Sequence, residues 1–325
     1  MKALFLGGVA ADTARGIRDE LAPSLQVEII DDPIDRARLE QVAPDIDILV
    51  SNHWRPDYPL APKMRLVQSV ATGVELFDLA ALPRGCAVCN AFGHETAIAE
   101  YVVMAMLALY HRFFQIAGEF RERGSWATSW VQSGAPHGEV RGSTLGIVGY
   151  GRVGREVARR AVPFGCRILA ANRSPRERDA EVERIYPLAE LDRMLPECDT
   201  VAVCTALGPE TTGLVDAHRI ALMKPGAFLI NIARGQVVDE DALYAALRGG
   251  KLGGAAIDVW WQYPNPAEPA RRGSRHPFHE LPNVIATPHN SGWTAGMVRR
   301  RWDEIAGNIN RFERGDSPLN LVATA

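Results

Sequence analysis

The run Ser143-Thr144-Leu145-Gly146-Ile147-Val148-Gly149-Tyr150-Gly151-Arg152-Val153-Gly154-Arg155-Glu156-Val157 joins an apolar stretch to the pattern G-x-G-x-x-G. Apolar residues then recur at helical spacing: Val153, Val157, Ala161 and Val162. A strand that enters such a glycine turn and opens a helix is the first unit of a dinucleotide-binding fold. Each glycine has its own reason to be there. Gly149 permits a tight turn, Gly151 lets the backbone approach a pyrophosphate, and Gly154 lets helix and strand pack closely. The free N–H groups and positive end of the helix suit phosphate.

The same alternation extends in both directions. Downstream, CRILAAN (166–172), TVAVCTA (200–206), AFLINIA (227–233), AAIDVW (255–260) and NVIATP (283–288) read as strands, with helices between most of them. Upstream, KALFLGG (2–8), QVEII (26–30), IDILVSN (46–52), LVQSVAT (66–72) and CAVCN (86–90) do the same. Helices are expected there near 12–22, 35–43 and 75–81. One long amphipathic helix is expected from Glu95 to about Arg123, and a last one from Ala295 to about Arg314. That last helix follows the second unit, so the chain is expected to return to the first. The fold class is therefore α/β, with two Rossmann-like, doubly wound parallel-sheet domains. Residues 1–95 and 290–325 form one domain, and 96–289, the dinucleotide-binding domain, is inserted into it. The loop from Pro264 to Pro282 carries five prolines, and its length suggests a functional segment.

Composition agrees with this reading. The length of 325 residues suits about two domains. Hydrophobic residues make up 47% and charged residues 23%, as in globular chains. A net charge of −3 gives no global attraction to nucleic acid or lipid. The cations are four lysines and 32 arginines, and arginine is the better planar clamp for anions. Five cysteines stand at irregular spacing, unlike a disulfide framework. Cys86 and Cys89 have C-x-x-C spacing, but residues three apart on a strand face opposite sides, and no metal site is expected. The N-terminal apolar part is too short for a signal peptide. The nine residues Val102 to Tyr110 fall short of the roughly 20 a bilayer needs. A cytoplasmic protein without membrane or nucleic-acid partners is expected.

The second strand of the inserted domain ends at Asn172-Arg173-Ser174-Pro175, and Asn172 lies 18 residues after Gly154. NAD-binding units place a carboxylate there, on the ribose 2′-hydroxyl. Here Asn172 is neutral, Arg173 is cationic and Ser174 can donate. Arg176 and Arg178 add positive charge. NADP(H) is expected to be preferred, with NAD(H) possible, because a guanidinium–phosphate bond contributes about 1.5–3 kcal/mol.

With GYGRVG come Asn231-Ile232-Ala233-Arg234-Gly235, Ala256-Ile257-Asp258-Val259 and Thr287-Pro288-His289. In this order and spacing, over nearly the whole chain, they resemble the D-isomer-specific 2-hydroxyacid dehydrogenases. The resemblance implies a flavodoxin-like substrate domain, an inserted nucleotide domain, a cleft between them and a homodimer. It implies that Arg234 binds the substrate carboxylate and polarises the 2-keto oxygen, and that His289 is the general acid and base. The fork and fixed charge of a guanidinium and the near-neutral pKa of imidazole suit those tasks. It implies nicotinamide nucleotide contacts from Gly149, Gly151, Arg152, Val153, Gly154, Asn172, Arg173, Ser174, Cys204, Thr205, Ile232, Ala233, Asp258 and Ser291. Asp258 would hold the carboxamide. Thr72, Gly73 and Val74 would grip the substrate through backbone N–H groups. Trp54 would line the pocket of a small substrate, although a core role for it is equally open.

One residue departs from the pattern. The family's Glu, which pairs with the histidine, would stand at Tyr263. A phenol stabilises imidazolium less than a carboxylate does, so His289 is expected to work at a lower pKa. Glu268 is an alternative partner if its loop folds back. A glyoxylate- or hydroxypyruvate-type reductase leads. A formate-dehydrogenase-like enzyme and a non-catalytic dinucleotide-sensing scaffold stay open.

Overall fold

In the computed structural model, which describes residues 1–174, 179–265 and 267–325, strand β1 (Lys2–Leu6) is fully buried over its last four residues. A central parallel strand is covered on both faces, so such a run is apolar throughout. The chain continues through α1 (Gly8–Gly16), β2 (Gln26–Ile30), α2 (Arg36–Val42), β3 (Ile48–Ser51), β4 (Leu66–Ser69) and β5 (Ala87–Cys89). There follow α3 (Glu95–Tyr110), α4 (Phe113–Arg123), β6 (Thr144–Val148), α5 (Arg152–Ala161), β7 (Arg167–Asn172) and β8 (Arg184–Pro187). Then come α6 (Leu191–Met194), β9 (Thr200–Val203), α7 (Ala217–Leu222), β10 (Ala227–Asn231), α8 (Glu240–Arg248), β11 (Leu252–Ile257) and β12 (Val284–Ala286). The chain closes with α9 (Ala295–Glu313) and β13 (Leu321–Thr324).

These elements form two units, Met1–His94 with Thr294–Ala325, and Glu95–Trp293. The first sheet has the order β13-β5-β4-β3-β1-β2 and the second β12-β11-β10-β9-β6-β7-β8. All pairings are parallel except β13 with β5. Both orders reverse direction from their first strand, which makes each sheet doubly wound, as expected. Apolar clusters cover both faces of each sheet. Asp35, Asp239 and Thr294 cap α2, α8 and α9 by accepting from backbone N–H groups.

The last helix returns to the first sheet through Ile305, Ala306 and Ile309, which share a core with Phe5 and Val50, and one contact is especially close. A methyl group at Gly16 would come within 2.1 Å of the Trp302 ring, so only glycine lets α9 lie so near α1.

Four local expectations change. The helix expected from Glu95 to Arg123 is two helices, bent by 61°, with Arg112 between them at φ 50°. Nor is α3 amphipathic. Ala97, Ile98, Tyr101, Val102, Met106 and Leu109 are all buried, because it packs into the core of the second unit. The segment 75–81 forms only a short 3-10 turn at Leu79–Ala81, started by the Asp78 carboxylate. Val162 is exposed because α5 has already ended. The edge strands β8 and β13 carried no clear periodic signal. Cys86 and Cys89 pack into different clusters on opposite faces of their sheet, and all five cysteines are free thiols. Among the described residues no single helix is long and apolar enough to cross a membrane.

Candidate active site

The glycine turn between β6 and α5 shows three distinct constraints. Gly149 has φ 99°, and a methyl group there would lie 2.6 Å from the Thr205 backbone nitrogen. Gly154 faces its own turn, where a methyl group would meet the Gly149 carbonyl oxygen at 2.5 Å. Gly151 faces open space. It begins α5 without any side-chain cap, so the first N–H groups of that helix keep their donor capacity. Open space beside uncapped amides fits a dinucleotide pyrophosphate. Val153 is half-buried, and Arg152 lies 4.0 Å from Glu95 at the edge of this turn. Cys204 and Thr205 follow β9, and the Cys204 N–H donates to the Val148 carbonyl.

At the end of β7 the Asn172 amide donates to the Ser174 carbonyl at 2.8 Å, which fixes the turn. The Arg173 guanidinium is exposed and lies 3.6 Å from the Glu210 carboxylate. Arg176 and Arg178 lie outside the described residues.

The loop after β12 carries the candidate acid–base group. His289 has φ 58°, a left-handed conformation uncommon outside glycine, although histidine adopts it more readily than most side chains. What holds it is Asp258, fully buried at the end of β11. Its carboxylate accepts from the Thr287 hydroxyl at 2.7 Å and from the backbone N–H groups of Asn290 and Ser291, each at 3.0 Å. The Thr287 proton is thus committed to Asp258. The Tyr101 hydroxyl, 2.7 Å away on α3, must then donate to Thr287. Burial pushes the Tyr101 phenol up to about 12, which keeps that proton in place. Trp260 pins the same segment by donating from its indole to the Thr287 carbonyl at 2.9 Å. Asp258 is therefore the organiser of the histidine loop, a role the sequence did not suggest.

Of the two candidate partners of the imidazole, one reaches it. The Tyr263 hydroxyl lies 2.9 Å from His289 Nδ1 and accepts from the Trp260 N–H at 3.2 Å. Glu268 instead pairs with Arg271 at 3.2 Å, because its own turn is closed by Asn265. The histidine's partner is therefore Tyr263. A hydroxyl can donate to a neutral Nδ1 or accept from a protonated one, so it serves both protonation states. Partial desolvation pushes the His289 pKa below its usual value, Asp258 pulls it up and Arg234 pushes it down.

Arg234 follows β10. Asn231, fully buried, shapes its turn by accepting from the Ala233 N–H and donating to the Arg234 carbonyl. Gly235 cannot carry a side chain, since a methyl group would come within 2.3 Å of the Trp260 backbone. Ile232 and Ala233 are buried beneath this turn. Among the described residues no carboxylate pairs with Arg234, and its side chain donates only to the Ala233 carbonyl. An uncompensated guanidinium whose field reaches a histidine can hold an anion beside an acid–base group.

In the first unit, the Thr72 hydroxyl donates to the Ala91 carbonyl and Asn90 donates to the Thr72 carbonyl. Gly73 is covered by the flexible Glu75 side chain, and Val74 packs against the core. Trp54 departs from the pocket reading. It is 1% exposed and packs edge-on against Tyr58, because its backbone pairs with the Leu76–Asp78 segment and turns the ring inward. Its ring belongs to the core.

A sequence model described as D-isomer specific 2-hydroxyacid dehydrogenase, NAD binding domain, matches residues 103–291. A glyoxylate reductase of Korarchaeum cryptofilum is 35% identical, over 94% of this chain and 88% of that protein. A mitochondrial formate dehydrogenase of Solanum tuberosum is 31% identical, over 96% of this chain and 82% of that protein. A crystal structure of a D-isomer specific 2-hydroxyacid dehydrogenase family protein from Aeromonas salmonicida superposes with a TM-score of 0.81. It is 29% identical and the match covers 99% of this chain and 98% of that one.

Proposed function

The chain belongs to the D-isomer-specific 2-hydroxyacid dehydrogenase family, and from that premise we propose that it reduces a small 2-keto acid to a D-2-hydroxy acid, with glyoxylate or hydroxypyruvate as substrate. Bound nicotinamide dinucleotide supplies the hydride for the carbonyl carbon. His289 delivers the proton to the carbonyl oxygen and takes it back in the reverse direction. Arg234 holds the substrate carboxylate and stabilises negative charge on that oxygen. Tyr263 orients the imidazole, and Asp258 positions it by fixing the loop. The backbone of Thr72, Gly73 and Val74 is assigned to the substrate carboxylate.

The observation that carries this reading is Arg234 without a counter-ion among the described residues, acting on a histidine held in a left-handed loop. The test is a panel of 2-keto acids with either nucleotide. Nucleotide oxidation with glyoxylate or hydroxypyruvate is expected. Turnover of formate alone would favour the formate-dehydrogenase-like reading, which the Solanum relative and the neutral Tyr263 support. Tight nucleotide binding with no turnover would favour a scaffold.

The cofactor preference proposed is NADP(H), because Asn172 offers no carboxylate to a ribose 2′-hydroxyl. Glu210 competes with the 2′-phosphate for Arg173, but an exposed pair at 3.6 Å is weak. NADPH is expected to bind about 10-fold or more tightly than NADH. Arg173→Ala should remove the difference in a fluorescence titration, and equal binding by the unaltered protein would overturn the preference.

A second expectation concerns pH. Reduction needs imidazolium, so its rate falls as pH rises through the His289 pKa, which is held low. Tyr263→Glu places a carboxylate at Nδ1 and favours the charged ring. The descending limb of the kcat profile should move up by about 1–2 pH units. An unmoved limb would assign the proton to another group.

A homodimer is proposed from the exposed apolar side chains of α4 and the loop after it: Phe113, Phe114, Phe120, Trp126 and Trp130. Phe113 packs on Phe114 and Phe120 on Trp126, and each ring stays at least half exposed; exposed aromatic groups of this kind mark protein–protein contacts. Trp130, 88% exposed, is the point to test. Trp130→Asp should shift sedimentation toward the monomer while leaving the far-ultraviolet circular dichroism of the folded protomer unchanged. The free thiols fit a reducing compartment, and a cytoplasmic site of action is proposed on that ground.

A further inference from the structure

Beside β12, the long loop after Tyr263 borders an open cavity of about 540 Å³. That volume is in the range of small-molecule sites. Trp260 and Tyr263 give it aromatic walls, and Arg271 and Arg272 give it a cationic rim. No carboxylate lines it among the described residues. Glu268 and Gln262 engage Arg271, and Asp241 engages His276. Arg272 has neither an ion pair nor a side-chain hydrogen bond among the described residues.

None of Gly149, Gly151, Gly154, Arg234, Asp258 or His289 lines this cavity, so it is separate from the candidate active site. The two share a wall. Tyr263 turns its ring to the cavity and its hydroxyl to His289 Nδ1, and Thr287 and Pro288 precede the histidine along the same rim.

We propose that this cavity binds a small aromatic carboxylate, its ring against Trp260 and Tyr263 and its charge on Arg272. Guanidinium–carboxylate geometry and offset ring packing are the recognition chemistry. An occupant also restrains Tyr263 and therefore alters turnover without competing for substrate. That consequence rests on the proposed role of His289, whereas the binding does not.

Calorimetric titration of the full chain with naphthalene-2-carboxylate, with and without nucleotide, tests the site. One-to-one binding is expected in both cases. Arg272→Glu should weaken it about 10-fold or more, as loss of a charge-assisted bond does. Ala286→Phe, which fills the cavity and keeps its cations, should weaken it as well, and Arg234→Gln should not. Arg272→Glu should leave turnover without the probe unchanged. In the unaltered protein the probe should change kcat and leave KM for the keto acid unchanged. Absence of saturable binding, binding indifferent to both cavity variants, or binding lost in Arg234→Gln would overturn the site. Binding with kcat unmoved at saturation would overturn its link to the histidine.

Discussion

His289→Asn is expected to slow keto-acid reduction by about 10²–10⁴-fold, the usual contribution of a positioned general acid. Asparagine is the informative replacement. The residue sits at φ 58°, and asparagine adopts that conformation more readily than most side chains. Asp258 holds the flanking Asn290 and Ser291 amides whatever stands at 289. The loop should therefore keep its shape while the proton donor is lost. Single-turnover kinetics should show the deficit in the chemical step, with nucleotide affinity unchanged. A loss confined to KM would mean that His289 only binds substrate.

Arg234→Gln is expected to lower kcat/KM by about 10³–10⁵-fold. One part is the charge that stabilises the developing oxyanion, about 10²–10³-fold for a single donor. The other is the bond to the substrate carboxylate, about 1.5–3 kcal/mol. Folding should be spared. The turn is held by Asn231 and by the close approach of Gly235 to Trp260, and neither needs the guanidinium. Steady-state kinetics with the best keto acid measure the loss, and a thermal melt checks the fold. The variant should also raise the His289 pKa, because Arg234 now pushes it down. A variant that keeps most of its kcat/KM would remove Arg234 from the proposed chemistry.

The parts of this fold that were legible are those where one residue type answers one constraint. Gly149, Gly151 and Gly154 were read as turn, open approach and close packing, and those are the surroundings each one has. Buried parallel strands were legible because apolar runs have little alternative. What was not legible depended on packing and turn geometry that spacing does not show. Nothing local marks Trp54 as core, since its burial depends on pairing with the segment 76–78. The break at Arg112 is set by where α3 leaves the core, not by a proline or glycine. The organising role of Asp258 was hidden because its three donors come from residues about 30 positions later. The pairing of Glu268 with Arg271, rather than with His289, follows from a local turn that spacing alone does not reveal.

The contact of Trp302 with Gly16 and the pairing of β13 with β5 also bear on the order of assembly during synthesis. The second unit is one continuous stretch, Glu95–Trp293, and all of it leaves the ribosome before the last helix does. Domains generally fold as units while the chain is being made. The nucleotide-type sheet can therefore close first. The N-terminal sheet, although translated earlier, waits with one edge and one helical face uncovered until the final segment arrives. The elements that complete the N-terminal sheet are thus the last to be made, and its earliest strands are the ones a nascent-chain chaperone would have longest to protect.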